Sequence, residues 1–483
     1  MRKLIVAGAV ISSTMLSPAL AADLPVKALP APVAYPSWTG FYIFGGGGYG
    51  LSSADQLTST PASTVTNRTG GHGYFGTVGG GYDWQFAPKW VGGVFADAQF
   101  GDIKGVIQPY DGFGGYATGT MKNTSSYAVG ARLGYLIAPN ALSYVNAGYS
   151  RANFTGADLY DSGMVGNPAF FVGTTPKLHL DGWFVGGGVE NSLDLFGITA
   201  PGWFMKTEYR LAEYDRQTIV APIFGTNLPT SYKPYVQTAS TSLVYRFNSG
   251  AAYSAAPLYT KAPIAPPINW SGFYLSGGGG YGLWDADVGK RTVAGALYPN
   301  QHYTGGRGWF GTAGGGYDWQ FAPKWVVGVL ADAQFGDING SIIDVFQNYP
   351  GSIKNNLNYA VGARLGYLVA PNVLSYVNGG YSHADFTQAT LTNTDGTALL
   401  GGGNYKVLEQ HHDGWFIGGG VENSLNMFGI TAPGWFMKTE YRLASYRRED
   451  ITLLGPSGAP TGESVTFKPT VQTISTSLVY RFH

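Results

Sequence analysis

The chain carries one sequence unit twice, and this duplication constrains its fold more than any other feature. Residues 38–248 and 270–483 share long identical segments, among them QFAPKW, DGWF and PGWFMKTEYRLA. A unit of roughly 200 residues is far longer than the 20–50 residues of solenoid repeats. The duplication is therefore one of whole domains, and the two copies separate a shared framework from segments that differ.

The first 21 residues have the pattern of a secretory signal. Arg2 and Lys3 precede an apolar run over residues 4–16, and Ala19-Leu20-Ala21 offers a small-x-small cleavage site. The run is shorter than the ~20 residues that a membrane-spanning helix needs. We therefore expect an exported protein with a signal peptide at 1–21.

The composition excludes several classes of function. The chain has no cysteine, which excludes disulfide scaffolds, thiolate catalysis and cysteine-based metal sites. Its formal net charge is zero, so nothing indicates a nucleic-acid partner. Charged residues make up 12% against about 25% in soluble proteins, while aromatics reach 15%. An exported chain of this kind is either a secreted β protein or a transmembrane β-barrel.

Side chains alternate between apolar and polar along short segments, which indicates strands. In WFMKTEYRL, for example, Lys206, Glu208 and Arg210 share one face opposite the apolar residues. The first copy contains eight such segments, predicted at residues 41–50, 74–86, 90–102, 126–138, 141–154, 179–194, 203–217 and 237–247.

The charged face carries four acids and four bases in each copy. A balanced set suits a small enclosed lumen, because each buried charge needs a partner. The predicted lumen charge network comprises Asp83, Asp97, Arg132, Glu190, Lys206, Glu208, Arg210, Arg246, Asp318, Asp332, Arg364, Glu422, Lys438, Glu440, Arg442 and Arg481.

Connections between the predicted strands alternate between short and long. Residues 87–89, 139–140 and 195–202 are short turns, whereas 51–73, 103–125, 155–178 and 218–236 are predicted as long loops. Short turns on one side and long loops on the other are typical of an outer-membrane barrel with periplasmic turns. The long segments also differ most between the copies, whereas the predicted strands and short turns are nearly the same in both.

Three motifs resemble a known family. The mature start ADLPVK at 22–27, the entry WTGFY at 38–42 and the closing LVYRF at 243–247 resemble the small alphaproteobacterial outer-membrane immunogenic proteins, which are porin-family, OmpA-like eight-stranded barrels. The resemblance implies that Phe247 and Phe482 are barrel-closing aromatics read by the barrel-assembly machinery. It also implies surface exposure in the bacterial outer membrane.

The fold class that we predict is all-β, a transmembrane antiparallel barrel present as two tandem eight-stranded barrels. The domains are a signal peptide at 1–21, a Pro-rich periplasmic leader at 22–37, a barrel at 38–248, a Pro-rich periplasmic linker at 249–269 and a second barrel at 270–483. Each copy has its own opening and closing strand, and a flexible linker of this length is unnecessary inside one sheet. One sixteen-stranded barrel, which would enclose an aqueous channel, is the alternative.

Two motifs suggest ligand binding but have simpler interpretations. The glycines at 45–50 resemble a phosphate-binding loop, yet no helical pattern follows them, and strand glycines permit twist and close packing. His411 and His412 precede Asp413, but neighbouring residues on a strand point to opposite faces and chelate poorly as a pair. We therefore predict no catalytic, cofactor-binding or metal-binding residues.

From this fold we predict a structural role for a protein exposed at the cell surface, which supports the envelope and presents loops outside the cell. The expected partners are outer-membrane lipid and lipopolysaccharide, the barrel-assembly machinery during biogenesis, and peptidoglycan or host surface molecules. A porin-like channel for small solutes is the alternative. A lipid-acting membrane enzyme is disfavoured, since no Ser/His/Asp cluster recurs in both copies.

Overall fold

The computed structural model describes residues 35–59, 64–110, 116–161, 169–223, 225–247, 252–253, 268–298, 302–343, 349–392 and 404–482. The predicted signal peptide at 1–21 lies outside the described residues, as do most of the leader at 22–37 and of the linker at 249–269. The two Pro-rich segments meet in a short ladder, in which Tyr35–Pro36 pairs with Ala252–Tyr253.

Eight long antiparallel strands form the first copy, and each pairs with the next along the chain. The last strand pairs back with the first, from Thr230 opposite Thr58 to Arg246 opposite Tyr42, so the hydrogen-bonded ladder returns to its start. The strands are β1 Gly40–Ser59, β2 Thr64–Ala87, β3 Trp90–Ile107, β4 Gly119–Ala138, β5 Ala141–Phe154, β6 Leu178–Ser192, β7 Trp203–Tyr214 and β8 Thr226–Arg246.

The second copy repeats this order of pairing. Its last strand pairs with its own first strand, from Arg481 opposite Tyr274 to Ser464 opposite Arg291. The strands are β9 Gly272–Arg291, β10 His302–Ala322, β11 Trp325–Ile343, β12 Pro350–Ala370, β13 Val373–Phe386, β14 Gln410–Ser424, β15 Trp435–Tyr446 and β16 Pro460–Arg481.

Short helical turns and short strands lie at the two ends of the long strands. The described helices are two 3-10 turns, Leu193–Phe196 and Leu425–Phe428, each ended by a glycine with positive φ. Neither turn has the length and apolarity that a membrane-crossing helix requires. The short strands at the long-loop end are Asp158–Tyr160, Phe171–Thr174, Gln217–Ile223, Ala389–Leu391, Tyr405–Val407 and Glu449–Leu454.

The predicted long loops at 51–73 and 218–236 are wrong as loops, and those at 103–125 and 155–178 are wrong only in part. Residues 51–59 and 64–73 continue β1 and β2 as a hairpin, and residues 226–236 continue β8. Strands of up to 24 residues therefore extend well past the 9–11 residues that cross a bilayer. Their richness in Gly, Thr and Asn suggested loops, but these residues also alternate inward and outward, and the inward ones are buried.

The outer face carries an apolar band bounded by aromatic residues. Exposed aliphatic side chains such as Ile43, Val78 and Val94 lie between Trp84 at the short-turn end and Tyr74 at the other. Ten residues of a strand tilted by about 40° rise about 25 Å, which matches the apolar band of outer-membrane barrels. The exterior is thus suited to lipid along the shared framework.

The two copies contact one another through equivalent positions, so the interface has an approximate two-fold symmetry. Tyr209 faces Tyr441, its counterpart, with ring centroids 6.0 Å apart. Thr69 pairs with its counterpart Thr304, and the adjacent Gly70 and Gly305 touch backbone to backbone. Near the short turns an apolar cluster joins Ile137, Ala138, Ala141 and Leu195 to Val369, Val373, Val421 and Met427. A self-complementary surface of this kind is what a symmetric dimer interface uses.

Charged side chains reinforce this interface at the long-loop end. Arg307 donates two hydrogen bonds to Asp55 of the other copy, at 2.9 and 2.5 Å, and Arg68 donates a third at 2.7 Å. Burial raises the pKa of the Asp55 carboxyl, but hydrogen bonds and charges from Arg307 and Arg68 outweigh it and hold that pKa below its ordinary value. Across the same interface, His72 contacts Asp285 at 2.6 Å.

Candidate functional site

The interior of each copy contains a ring of four charges near the short turns. Arg132 donates to Asp83 at 2.9 Å and to Glu190 at 3.1 Å, while Arg246 donates to the same two acids at 2.8 and 2.7 Å. All four side chains are buried. Because bases and acids alternate around the ring, each buried charge has two opposite neighbours, which offsets its loss of hydration.

The second copy reproduces this ring almost atom for atom. Arg364 donates to Asp318 at 2.8 Å and to Glu422 at 3.2 Å, and Arg481 donates to both acids at 2.7 Å. The ring is therefore part of the framework that the copies share.

A buried tryptophan covers the ring from the short-turn side. Arg246 donates to the carbonyl oxygen of Trp38 at 3.3 Å and stacks on its indole at 4.4 Å, and the indole N–H donates to Pro139 at 3.1 Å. Trp270 and Arg481 repeat these contacts at 3.2 and 4.5 Å. The segment before the first strand thus folds into the barrel end, a role that the sequence motif did not reveal.

A second charged cluster lies above the ring. Arg210 donates to Asp97 at 3.0 and 2.7 Å and to Glu208 at 2.8 Å. Glu208 also accepts hydrogen bonds from Tyr144 and Asn146, both at 2.9 Å. Lys206 completes the cluster 3.7 Å from Glu208. Arg442, Asp332, Glu440 and Lys438 form the equivalent cluster in the second copy.

The interior above the two charged layers is mainly apolar, with buried polar groups such as Gln56 and His412 among the aromatic residues, a feature not predicted from the sequence. In the first copy Phe95 and Phe184 stack above Arg210, and Phe154 contacts Tyr232 higher up. In the second copy Trp284, Phe386 and Phe467 fill the corresponding space. The signal lies in the alternation of segments such as WDADV at 284–288, the counterpart of the predicted loop at 51–73 in the first copy.

The positions of the predicted residues divide into two groups. The sixteen residues proposed for the lumen network all point inward; fourteen are buried, and Asp332 and Lys438 are partly exposed. Phe247 and Phe482 point outward and are about half exposed. Their backbone N–H groups donate to Phe41 and Phe273 in the first strand of each copy.

The glycine run at 45–50 lies inside β1, where it packs against β8. A Cβ on Gly46 would lie 2.1 Å from the carbonyl oxygen of Thr241, and one on Gly48 would lie 2.0 Å from that of Ala239. The close approach of two strands explains these glycines, as we expected, and no helix follows them in the described chain.

His411 and His412 point to opposite faces of β14. His412 is buried and contacts Gln410 at 3.1 Å, whereas His411 is exposed and contacts Asp385 on the neighbouring strand at 2.6 Å. His383 lies beside Asp385, so a cluster forms on the outer rim that strand pairing alone brings together.

Comparison with known proteins agrees with this architecture. Residues 251–482 match the outer membrane protein beta-barrel domain. The chain is 28% identical over 195 residues to the 31 kDa outer-membrane immunogenic protein of Brucella melitensis, covering 38% of this chain and 74% of the relative. It is 27% identical over 201 residues to the 22 kDa outer membrane protein of Rhizobium leguminosarum, covering 40% of this chain and 72% of the relative.

A comparison of structures is weaker. The outer membrane protein OprG of Pseudomonas aeruginosa aligns with 44% of this chain and 98% of its own, at 16% identity and a TM-score of 0.30.

The fold and these relatives define an all-β, antiparallel β-barrel protein of the bacterial outer membrane. More particularly, residues 251–482 match the outer membrane protein beta-barrel domain, and the chain is similar to the 31 kDa outer-membrane immunogenic proteins of Brucella.

Proposed function

We propose that the chain forms two tandem eight-stranded barrels in the outer membrane, held side by side and closed to solutes, with a structural and surface-exposed role. The observation that carries the proposal is the interior: a tryptophan, two neutral charge clusters and an apolar layer succeed one another along each copy. An eight-stranded barrel leaves room for little more than its own side chains.

The return of the strand pairing within each copy supports two barrels rather than one. A sixteen-stranded barrel would pair β8 with β9 and β16 with β1, whereas β8 pairs with β1 and β16 with β9. Between the copies the described strands share a single paired position, Thr69 with Thr304. Side-by-side packing of complete units accounts for both facts.

Expression of residues 1–248 alone tests the tandem arrangement. We expect an independently assembled barrel that resists protease and migrates differently on gels before and after heating. Residues 249–483 behind the same signal peptide provide the matched control. Failure of both halves to assemble would contradict two complete barrels and favour a single large one.

Solute permeability tests the closed interior. Liposomes containing the full chain should not swell faster than empty ones in isotonic arabinose, because the charge rings span the lumen. Swelling comparable to that of a general porin would overturn the closed-barrel proposal and favour the channel. The partners we propose are lipid and lipopolysaccharide along the apolar band, the assembly machinery during insertion, and peptidoglycan or host surface molecules at the two ends.

A further inference from the structure

The rim of the second copy holds a cluster of metal-ligating side chains that strand register assembles. His383 and Asp385 lie on β13, and His411 and Asp413 lie directly opposite on β14, with Asp385 paired to His411 and His383 to Asp413. Residues two apart on a strand share a face, so all four side chains project outward together. We propose that this cluster is a binding site for a divalent transition metal ion such as Zn²⁺.

Three of the side chains converge on one point. Asp385 Oδ1 lies 3.0 Å from His383 Nε2 and 2.6 Å from His411 Nδ1. These three candidate ligand atoms all lie within 4.8 Å of one another. Tetrahedral zinc ligands lie about 3.3 Å apart, so small side-chain rotations would complete the site. Two imidazole nitrogens and one carboxylate oxygen favour a transition metal over Mg²⁺ or Ca²⁺, which prefer oxygen ligands alone.

The fourth residue, Asp413, is placed to orient the ligand His383 rather than to bind the metal itself. Its Oδ1 lies 2.7 Å from His383 Nδ1, the ring nitrogen that faces away from Asp385. A proton held there leaves the Nε2 lone pair available for the metal, which is the usual carboxylate–histidine–metal arrangement. Tyr381 donates to Asp413 at 2.5 Å, and the ring of Tyr359 stacks on His383 at 4.6 Å.

The surroundings suit an exchangeable metal. The side chains of His383 and Asp385 are 14% and 15% exposed, whereas His411 is 61% exposed. Two ligands are thus held in place while the third faces outward, and the coordination is left open on the solvent side. The site lies at the long-loop end of β13, beyond the apolar band.

The first copy supplies a natural control at the equivalent positions. Arg151 stands in place of His383 and Asn153 in place of Asp385, while His179 and Asp181 correspond to His411 and Asp413. Arg151 forms an ion pair with Asp181 at 3.5 Å, and His179 contacts Asn153 at 2.6 Å. One histidine beside a guanidinium cannot hold a metal in the same way, so we expect one site per chain rather than two.

Titration of the folded, untagged full chain in detergent with ZnCl₂ against a chromophoric chelator tests the proposal. We expect one saturable Zn²⁺ per chain, lost in His383→Ala and in His411→Ala and retained in His179→Ala. Asp413→Asn should weaken binding about 10- to 100-fold, because it removes the carboxylate partner of the His383 ring rather than a ligand of the metal. The heat-dependent gel shift of each variant verifies that its barrels remain assembled.

Three results would overturn the site: no saturable binding in the parent chain, equal loss in His179→Ala and His411→Ala, or displacement of zinc by equimolar Mg²⁺. A gain-of-site variant gives a further check. Arg151→His combined with Asn153→Asp should raise the stoichiometry to two, and retention of a single equivalent would show that the four positions do not define the site.

Discussion

The two copies agree in their inward-facing charges and differ where they face outward at the loop-side rim. The ring of Arg132, Asp83, Glu190 and Arg246 has a counterpart with nearly the same distances in the second copy. By contrast, Arg151 and Asn153 on one rim correspond to His383 and Asp385 on the other. The interior is constrained because every buried charge depends on its neighbours, while a rim residue depends on fewer contacts and can acquire a different chemistry.

The largest expected effect comes from breaking one interior ring. Arg132→Met leaves Asp83 and Glu190 with Arg246 alone, and removal of one partner from a buried charge network costs about 3–5 kcal/mol. Urea unfolding in lipid vesicles, followed by tryptophan fluorescence, should show the first copy unfolding at lower urea while the second remains folded. Arg364→Met should produce the same separation in the opposite copy.

A surface pair provides the control for this comparison. Lys122 contacts Asp102 at 3.1 Å, but both side chains are about half exposed, so Lys122→Met should change stability by less than about 1 kcal/mol. An equal loss in Lys122→Met and Arg132→Met, or complete loss of both copies in a single transition, would contradict independent barrels with structural charge rings.

An intermediate effect is expected at the interface between the copies. A Cβ on Gly70 would lie 2.4 Å from the carbonyl oxygen of Thr304, and one on Gly305 would lie 2.8 Å from the Cα of Gly70. Gly70→Val with Gly305→Val should therefore separate the two copies without unfolding them. The chain has no cysteine, so spin labels at Lys122→Cys and Lys354→Cys report the distance by pulsed EPR. We expect one narrow distribution in the parent chain and a broad one in the double variant; identical distributions would argue against this interface.

The smallest expected effect is a pH dependence of the same interface. Asp285 raises the pKa of His72 through its charge, and burial in turn raises the pKa of Asp285. Both groups hold protons more tightly in the folded pair than in the unfolded chain. The contribution of His72 is therefore fully present below about pH 6.5, the ordinary histidine pKa, and is lost as the pH rises through its higher folded pKa, whereas the contribution of Asp285 is already lost as the pH rises above the ordinary aspartate range. The EPR distribution should broaden at high pH in the parent chain, and His72→Gln should abolish that pH dependence.

The sequence carried enough information for the strand framework and for the inward direction of the charges. Alternation in WFMKTEYRL places Lys206, Glu208 and Arg210 on one face, and duplication shows that this face is maintained. Barrel closure follows less directly, because it depends on pairing between β1 and β8, which are separated by most of the copy.

Three features could not be derived from the sequence. The strand extensions cannot be told from loops by composition, because Gly and Thr are frequent in both. The symmetric interface depends on how the two copies pack against each other, and the sequence of neither copy specifies that placement. The rim cluster depends on which residue of β13 lies opposite His411, and a shift of one residue would have placed Asp385 on the other face.

The conductance of single molecules in a planar lipid bilayer tests the central claim most directly, namely that each copy is a complete barrel with a filled interior. The full chain, inserted at low density, should give no stable current steps, because the tryptophan, the charge rings and the apolar layer occupy each lumen. Stable steps of nanosiemens scale would contradict the account and indicate an open channel of larger diameter.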